Sequence, residues 1–254
     1  MSPADIAIGV AIGVVSGVLS GLFGVGGGIV MTPGIEVLLG APPIVALATP
    51  LPVIFPTALA GALAYRKRGE TDTRAAAWLI GPGLVGATLG AWLTDRIDTR
   101  LLLVATAILL GWQATALLRT RERRIAPRAA TPPILAGIGA IAGLVSGLLG
   151  IGGGLVIVPL LAGWVGMPLK RALGTSLLAI VALVIPGTVV HAALGHLDIG
   201  IGLAVVVGAV PGARLGAALA LGAKERTLRI VVGCGLLLVA AAYGIEQATE
   251  MLSR

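Results

Sequence analysis

The sequence predicts an all-α polytopic membrane protein whose two homologous five-segment halves lie in inverted topology, with glycine-rich broken helices near the membrane midplane. Three observations favour this fold class: an apolar composition, long uncharged runs and a glycine motif that occurs twice. Hydrophobic residues make up 57% of the 254 residues and charged residues only 11%, with a mean hydropathy of +1.05. A soluble domain averages about 25% charged residues. Because so few charges cannot cover a surface in water, we expect lipid to be the solvent.

The duplicated motif organises the chain. The stretch SGLFGVGGGIV at residues 20–30 recurs as SGLLGIGGGLV at residues 146–156, with eight of eleven positions identical. The offset of 126 residues continues beyond the motif without a gap, and it pairs Thr49 with Thr175. We therefore predict two membrane repeats that form one integrated transmembrane domain: 1–124 and 125–254.

Apolar runs divide each repeat into five segments. Between Asp5 and Arg66 the only charge is Glu36, and this length of helix, about 90 Å, crosses a hydrocarbon core of about 30 Å three times. The segments of the first repeat are 4–22, 27–40, 43–64, 75–94 and 101–118, and those of the second are 131–148, 154–167, 172–190, 201–220 and 230–248. Because each repeat has an odd number of spans, the two repeats enter the membrane from opposite sides.

The basic residues test this topology independently, since cytoplasmic loops of membrane proteins carry an excess of Lys and Arg. The inverted arrangement places fourteen basic residues inside and three outside. The alternative, a parallel 4+4 repeat with eight spans, places ten inside and seven outside. The distribution favours inverted repeats. We assign the net charge of +7 to loops that face anionic headgroups, and we expect no nucleic-acid partner.

The second segment of each repeat is too short to span a membrane, because about 14 residues give about 21 Å of helix. The short length is explained if the glycine loops before these helices lie below the membrane surface. Glycine suits such a loop because it adopts positive φ freely, and irregular backbone is tolerated in a membrane where it surrounds a cavity. The helix that follows directs unpaired N–H groups at the loop, which attracts an anion. The predicted binding positions are Gly24, Gly26, Gly27, Gly28, Gly150, Gly152, Gly153 and Gly154. The alternative is close helix packing, which we predict for a second set: Gly86, Gly90, Gly212 and Gly216.

Four further polar residues are candidates for substrate binding. Thr49, Thr175 and Ser176 lie early in the third segments, where their hydroxyls either coordinate a ligand or bond back to the helix. Arg214 lies well inside a predicted span, so its guanidinium either contacts the anion or extends to the membrane surface.

Catalytic and metal chemistry have little support in the sequence. His191, His196 and Asp198 resemble part of a metal-ligand set, but we expect them to be hydrated in an outer loop. No nucleophile, base and orienting group occur together as an enzyme requires. We therefore predict no catalytic residue, no metal site and no cofactor.

The duplicated motif, extended through Pro33 and Pro159, resembles the signature of the TauE/SafE family of sulfite exporters. The stretch RALGTS at residues 171–176 is also similar to that family, and the resemblance covers residues 6–246. It implies a prokaryotic inner-membrane transporter for sulfur-containing or small organic anions such as sulfite or a sulfonate. It also implies that the glycine loops, Thr49, Thr175 and Ser176 contact the substrate.

These observations together predict a secondary carrier that moves a small anion by alternating access between inverted halves. An anion channel is the nearest alternative, and an intramembrane enzyme is the alternative from another class. The expected partners are a small anionic substrate, membrane lipid and, in a homo-oligomer, further copies of the chain. The expected location is the inner membrane of a prokaryotic cell.

Overall fold

Helices account for every regular element in the part of the chain that the computed structural model describes: residues 1–94, 96–97, 99–119, 130–228, 230–235, 237–238 and 241. The first half contains α1 (Pro3–Phe23), α2 (Gly28–Pro33), α3 (Pro43–Ala48), α4 (Pro50–Lys67), α5 (Thr73–Thr94) and α6 (Thr99–Arg119). The second half contains α7 (Pro132–Leu149), α8 (Gly154–Pro159), α9 (Leu169–Ala193) and α10 (Ile199–Gly222). A π-helical turn continues α2 and α8: Gly34–Leu38 after α2 and Leu160–Trp164 after α8.

Six helical stretches among the described residues are long and apolar enough to cross a membrane: Pro3–Phe23, Pro43–Lys67, Thr73–Thr94, Pro132–Leu149, Leu169–Ala193 and Ile199–Gly222. The chain is therefore an all-α polytopic membrane protein. The stretch Pro43–Lys67 joins α3 to α4 and is interrupted at Thr49, because Pro50 has no N–H to continue the helical ladder.

The remaining predicted segments are shorter or partly outside the described residues. The second segments are the short apolar helices Gly28–Leu38 and Gly154–Trp164, as their length predicted. The fifth segment of the first repeat is α6. The fifth segment of the second repeat, 230–248, lies largely outside the described residues.

Glycines bring two pairs of helices into close contact, α1 with α10 and α5 with α7. A Cβ atom built on Gly17 of α1 would overlap the carbonyl oxygen of Ala209 in α10. At the same offset of 126 residues, a Cβ atom on Gly143 of α7 would overlap the carbonyl oxygen of Gly83 in α5. Each half therefore packs its first helix against the helix of the fourth segment in the other half.

The second set of glycines has the close-packing role that the sequence predicted. Cβ atoms on these residues would lie against backbone carbonyl oxygens of the facing helix: Gly86 against Ala140, Gly90 against Leu144, Gly212 against Val14 and Gly216 against Val18. Small residues allow such approaches between membrane helices, where van der Waals packing is the main attraction.

The third segments of the two halves, α3–α4 and α9, lie side by side with opposite chain directions. A Cβ atom on Gly174, near the start of α9, would overlap the carbonyl oxygen of Glu70, just after the end of α4. At the other end, the N–H of Asp198, which follows α9, donates to the hydroxyl of Thr49, which precedes α4, over 3.1 Å. The two segments are related by the repeat offset, so equivalent elements run antiparallel.

One end of the bundle collects basic side chains, and we call it the basic end: Arg66, Lys67, Arg68, Arg74, Lys170, Arg171, Lys224 and Arg226. Side-chain contacts join its elements. The ammonium of Lys170 donates to the carbonyl oxygen of Leu221 over 2.7 Å, and the Arg171 guanidinium lies 3.4 Å from the Asp72 carboxylate. We call the end that contains Thr49 and Asp198 the opposite end.

Candidate functional site

The two glycine loops, residues 24–28 and 150–154, have the same backbone conformation. Gly24, Gly26 and Gly27 have φ values of 68°, 91° and 88°, and their equivalents in the second loop have 66°, 83° and 77°. Residues with a Cβ atom rarely adopt this left-handed region, which explains why three glycines recur in each copy. All ten residues of the two loops are buried.

The loops touch each other in the centre of the protein. A Cβ atom on Gly28 would lie 2.9 Å from the Cα atom of Ile151, and one on Gly154 would lie 2.5 Å from the Cα atom of Val25. These two contacts are equivalent under the repeat offset. Glycine at both positions therefore permits backbone-to-backbone contact between the halves.

Two isoleucines cover the loops. The Cγ2 atom of Ile54 lies 2.9 Å, and that of Ile180 lies 3.3 Å, from the position of a Cβ atom on Gly26, and both also lie against Gly152. Ile54 and Ile180 are fully buried, and each is the twelfth of 25 residues in its helical stretch. The loops therefore meet midway along the third segments, α3–α4 and α9, which we call the central helices.

Each loop leads into a helix whose first N–H groups lack a side-chain cap. Helices α2 and α8 have glycine at the capping position, and no side chain accepts a hydrogen bond there. The N–H groups in the first turn of a helix have no partner within it. These donors lie where the two halves meet.

Two serine hydroxyls that the sequence analysis did not select lie beside these donors. Ser20 and Ser146 are equivalent, at most 1% exposed, and their Oγ atoms have no hydrogen-bond partner. The Cβ atom of Ser20 lies 3.3 Å from the Cβ position of Gly27, and Ser146 lies at the same distance from Gly153. The signal was present in the sequence, since a serine opens both copies of the motif.

Of the three candidate hydroxyls of the third segments, Ser176 is the one with a hydrogen bond to a loop. The hydroxyl of Ser176 donates to the carbonyl oxygen of Gly24 over 2.8 Å. The equivalent position in the first half is Pro50, which has no donor, so this bond breaks the symmetry between the halves.

The hydroxyls of Thr49 and Thr175 accept hydrogen bonds from residues at opposite ends of the bundle, and not from the loops. Thr175 accepts a hydrogen bond from the N–H of Asp72 over 2.9 Å at the basic end, and Thr49 accepts one from Asp198 over 3.1 Å at the opposite end. Both bonds join one half to the other. The sequence indicates a ligand or the same helix as the partner, whereas in the structure each hydroxyl accepts from an N–H of the other half.

The structure does not bring Arg214 to the loops. Its side chain is exposed on the outer face of α10, while the neighbouring Ala213 packs against α1. A guanidinium on this face extends toward headgroups or water more readily than into the core.

The expectation that His191 is hydrated in an outer loop was wrong. His191 is fully buried in the last turn of α9, and its Nδ1 atom lies 3.1 Å from the Nδ1 atom of His196. Helix α9 continues to Ala193, beyond the predicted end of its segment, and this extension buries the imidazole. Among the described residues, no group of three or more His, Cys, Asp or Glu side chains is placed to hold a metal ion.

The surroundings of the loops contain hydrogen-bond donors but no fixed positive charge. Among the described side chains, every Lys and Arg is exposed or half-buried. The buried polar side chains that the structure describes are hydroxyls, except for Gln113 and His191. An anion at the loops would therefore meet N–H and O–H dipoles, which act strongly where water is excluded.

The centre is closed in this conformation. The space beside Ser20 and Gly27 is about 10 Å³, room for about one water molecule. A larger crevice of about 260 Å³ lies near the opposite end, lined by Pro52, Val53, Asp198 and Gly202 among others. Val25 and Ile151 of the loops, and Ile54 and Ile180 that cover them, are at most 1% exposed.

Comparison with known proteins identifies the family. The profile described as sulfite exporter TauE/SafE matches residues 9–243, which include both glycine loops. The chain belongs to the TauE/SafE family. The resemblance inferred from the duplicated motif is thereby confirmed.

Curated relatives of this TauE/SafE protein carry transporter names. It is 32% identical over 231 residues to a probable membrane transporter protein of Xylella fastidiosa (strain Temecula1), with 87% of each chain covered. It is 28% identical over 245 residues to the probable membrane transporter protein YunE of Bacillus subtilis, with 86% of this chain and 89% of the relative covered. No solved structure matches the chain significantly. The family, these names and the six apolar helices indicate an integral membrane protein and support a membrane transporter.

Proposed function

We propose that this TauE/SafE protein is a secondary carrier for a small sulfur-containing or organic anion, such as sulfite or a sulfonate, in the inner membrane of a prokaryotic cell. The observation that carries the proposal is the meeting of two glycine loops midway along the central helices. Each loop offers uncapped N–H groups of a following helix, a known arrangement for holding an anion in transporters. The family description adds sulfite to the proposal.

We propose that the two halves have inverted topology. The antiparallel directions of α3–α4 and α9, which are equivalent segments, support this arrangement. The eight described basic residues at the basic end support its assignment to the cytoplasmic side. Inverted halves around a central site provide two similar closing surfaces, one toward each side of the membrane, as alternating access requires.

A carrier fits the closed centre better than a channel does. A channel needs a continuous path for water, whereas Ile54 and Ile180 cover both loops and are fully buried. A carrier passes through such a closed conformation in every cycle. In proteoliposomes, a carrier shows saturation and counterflow, and a channel shows flux that rises with concentration without saturating.

We also propose that the protein is not an enzyme. An intramembrane hydrolase would need a nucleophile, a base and an orienting group on one wall of a cavity. The hydroxyls of Ser20 and Ser146 lie at the loops, whereas the buried imidazole among the described residues, His191, lies at the opposite end.

Purified protein tests the proposal in two steps. A thermal-shift screen against sulfite, thiosulfate, sulfonates, sulfate and short carboxylates identifies the anion that binds. Uptake of that anion into proteoliposomes then has to saturate and to accelerate when the vesicles are preloaded with unlabelled anion. If no anion in the screen binds and none is taken up, the proposal fails. If flux does not saturate, the protein is a channel.

A further inference from the structure

We propose that Ser20 and Ser146 are twin binding residues, one for each glycine loop, and that they select a singly charged oxyanion. This inference rests on the proposed function, since it names the donors and the charge of the substrate at the same site. The two hydroxyls are equivalent, buried and without a hydrogen-bond partner.

Most other buried hydroxyls in the described helices have a hydrogen-bond partner, and Thr32 in α2 is an exception. Thr57 donates to the carbonyl oxygen of Val53 and Thr106 to that of Leu102, four residues earlier in each case. Ser16, one turn before Ser20, donates to the carbonyl oxygen of Gly13 over 3.1 Å. Serine and threonine in helices commonly bond back to the preceding turn in this way.

Leaving a buried hydroxyl without a partner is unfavourable, and here it occurs at two equivalent positions. The loop backbone passes directly over the carbonyl oxygens to which these serines would otherwise donate. Cβ atoms on Gly27 and Gly153 would lie 3.1 Å from the Ser16 oxygen and 2.6 Å from the Ala142 oxygen, respectively. A ligand oxygen is the acceptor for the hydrogen bond that each hydroxyl lacks.

The two hydroxyls stand beside the start of a helix in each half. The Cβ atom of Ser20 lies 3.3 Å from the Cβ position of Gly27, and α2 continues through its π-helical turn as the apolar helix Gly28–Leu38. The hydroxyl and the first-turn N–H groups are all donors, so the arrangement suits a ligand with several acceptor oxygens.

The lack of a buried cation among the described residues limits the charge of the ligand. No Lys or Arg side chain is buried among the described residues. Dipoles offset part of the desolvation cost of one negative charge, but a second charge would enter the core without a counter-ion. A sulfonate, hydrogensulfite or carboxylate monoanion therefore fits, and a dianion such as sulfate does not.

Methanesulfonate and sulfate provide a matched pair of probes, because both have tetrahedral sulfur with oxygen ligands and they differ in charge. We expect methanesulfonate to compete with uptake of the anion identified by the screen and sulfate to compete weakly at the same concentration. Equal competition by both would overturn the charge selection.

The variants Ser20→Ala and Ser146→Ala test the hydroxyls, with Ser16→Ala as the matched control. Each of the two should raise the half-saturation concentration about tenfold, the effect of losing about one hydrogen bond to a charged group. Their thermal stability without ligand should be unchanged or higher, because each loses an unsatisfied group. Ser16→Ala should show the reverse, with lower stability and wild-type half-saturation.

The outcomes separate this inference from the proposed function. Saturable uptake by the wild type with unchanged half-saturation in both serine variants would overturn the inference and keep the carrier. Absence of uptake by the wild type would overturn the proposed function. If one serine variant fails to fold, its equivalent in the other half provides the same test.

Discussion

Gly154→Ala tests whether the two loops must touch. Gly154 begins α8, and a Cβ atom there would lie 2.5 Å from the Val25 Cα atom and 2.6 Å from the Gly24 carbonyl oxygen. Both neighbours are backbone atoms, so no side-chain rotation relieves the overlap. An ordinary carbon–carbon contact needs about 3.5–4.0 Å, so the loops would separate by about 1 Å or more.

The cost follows from two opposing effects. Overpacking a well-packed interior destabilises a protein by about 1–3 kcal/mol. Replacing glycine by alanine in a helix stabilises it by about 0.5–1 kcal/mol when the site has room. We therefore expect Gly154→Ala to lower the free energy of unfolding by up to about 2 kcal/mol and to slow anion uptake. Gly28→Ala should cost less, because its closest neighbour is 2.9 Å away.

Gly137→Ala in α7 is the matched control, because no atom lies within 4 Å of its Cβ position. Equilibrium unfolding in mixed micelles and uptake into proteoliposomes provide the two measurements. The control should be as stable as the wild type or more so, with normal uptake. If Gly154→Ala matches the control in both measurements, the contact between the loops has no role in stability or transport.

Three further predictions concern the ends, the centre and the outer face of the bundle. Thr175→Val and Thr49→Val each leave an N–H of the other half without its partner, so each should lower the free energy of unfolding by about 1 kcal/mol. Ile54→Ala and Ile180→Ala remove the cover of the loops, and passive leak of anion from loaded vesicles should rise in both; an unchanged leak would argue against a seal. Arg214→Gln should keep the half-saturation concentration of the wild type, because the guanidinium is on the exposed face of α10. A marked increase in that concentration would show that Arg214 contributes to anion binding.

Much of the fold could be predicted because membrane helices leave a clear record in the sequence. Long uncharged runs mark the spans, and the glycine loops break them at equivalent positions. Gly86 and Gly212 could be assigned to helix packing, because glycine within an apolar membrane helix commonly serves to let another helix approach closely.

The site could be predicted less completely, because it depends on which distant residues meet. The partner of Thr175 is the N–H of Asp72, 103 residues away, and no local pattern indicates that bond. The direction of Arg214 depends on how α10 is rotated against α1. Ser20 could not be separated from the other buried hydroxyls until its missing partner was visible.

The inverted arrangement of the two halves is tested most directly by the sidedness of two equivalent loops. Arg68 and Leu194 are exposed, related by the repeat offset, and follow the ends of α4 and α9. In a Cys234→Ala background, Arg68→Cys and Leu194→Cys each provide one thiol for a membrane-impermeant maleimide. We predict labelling of Leu194→Cys in intact cells and of Arg68→Cys only after permeabilisation. Labelling of both from the same side would contradict inverted halves.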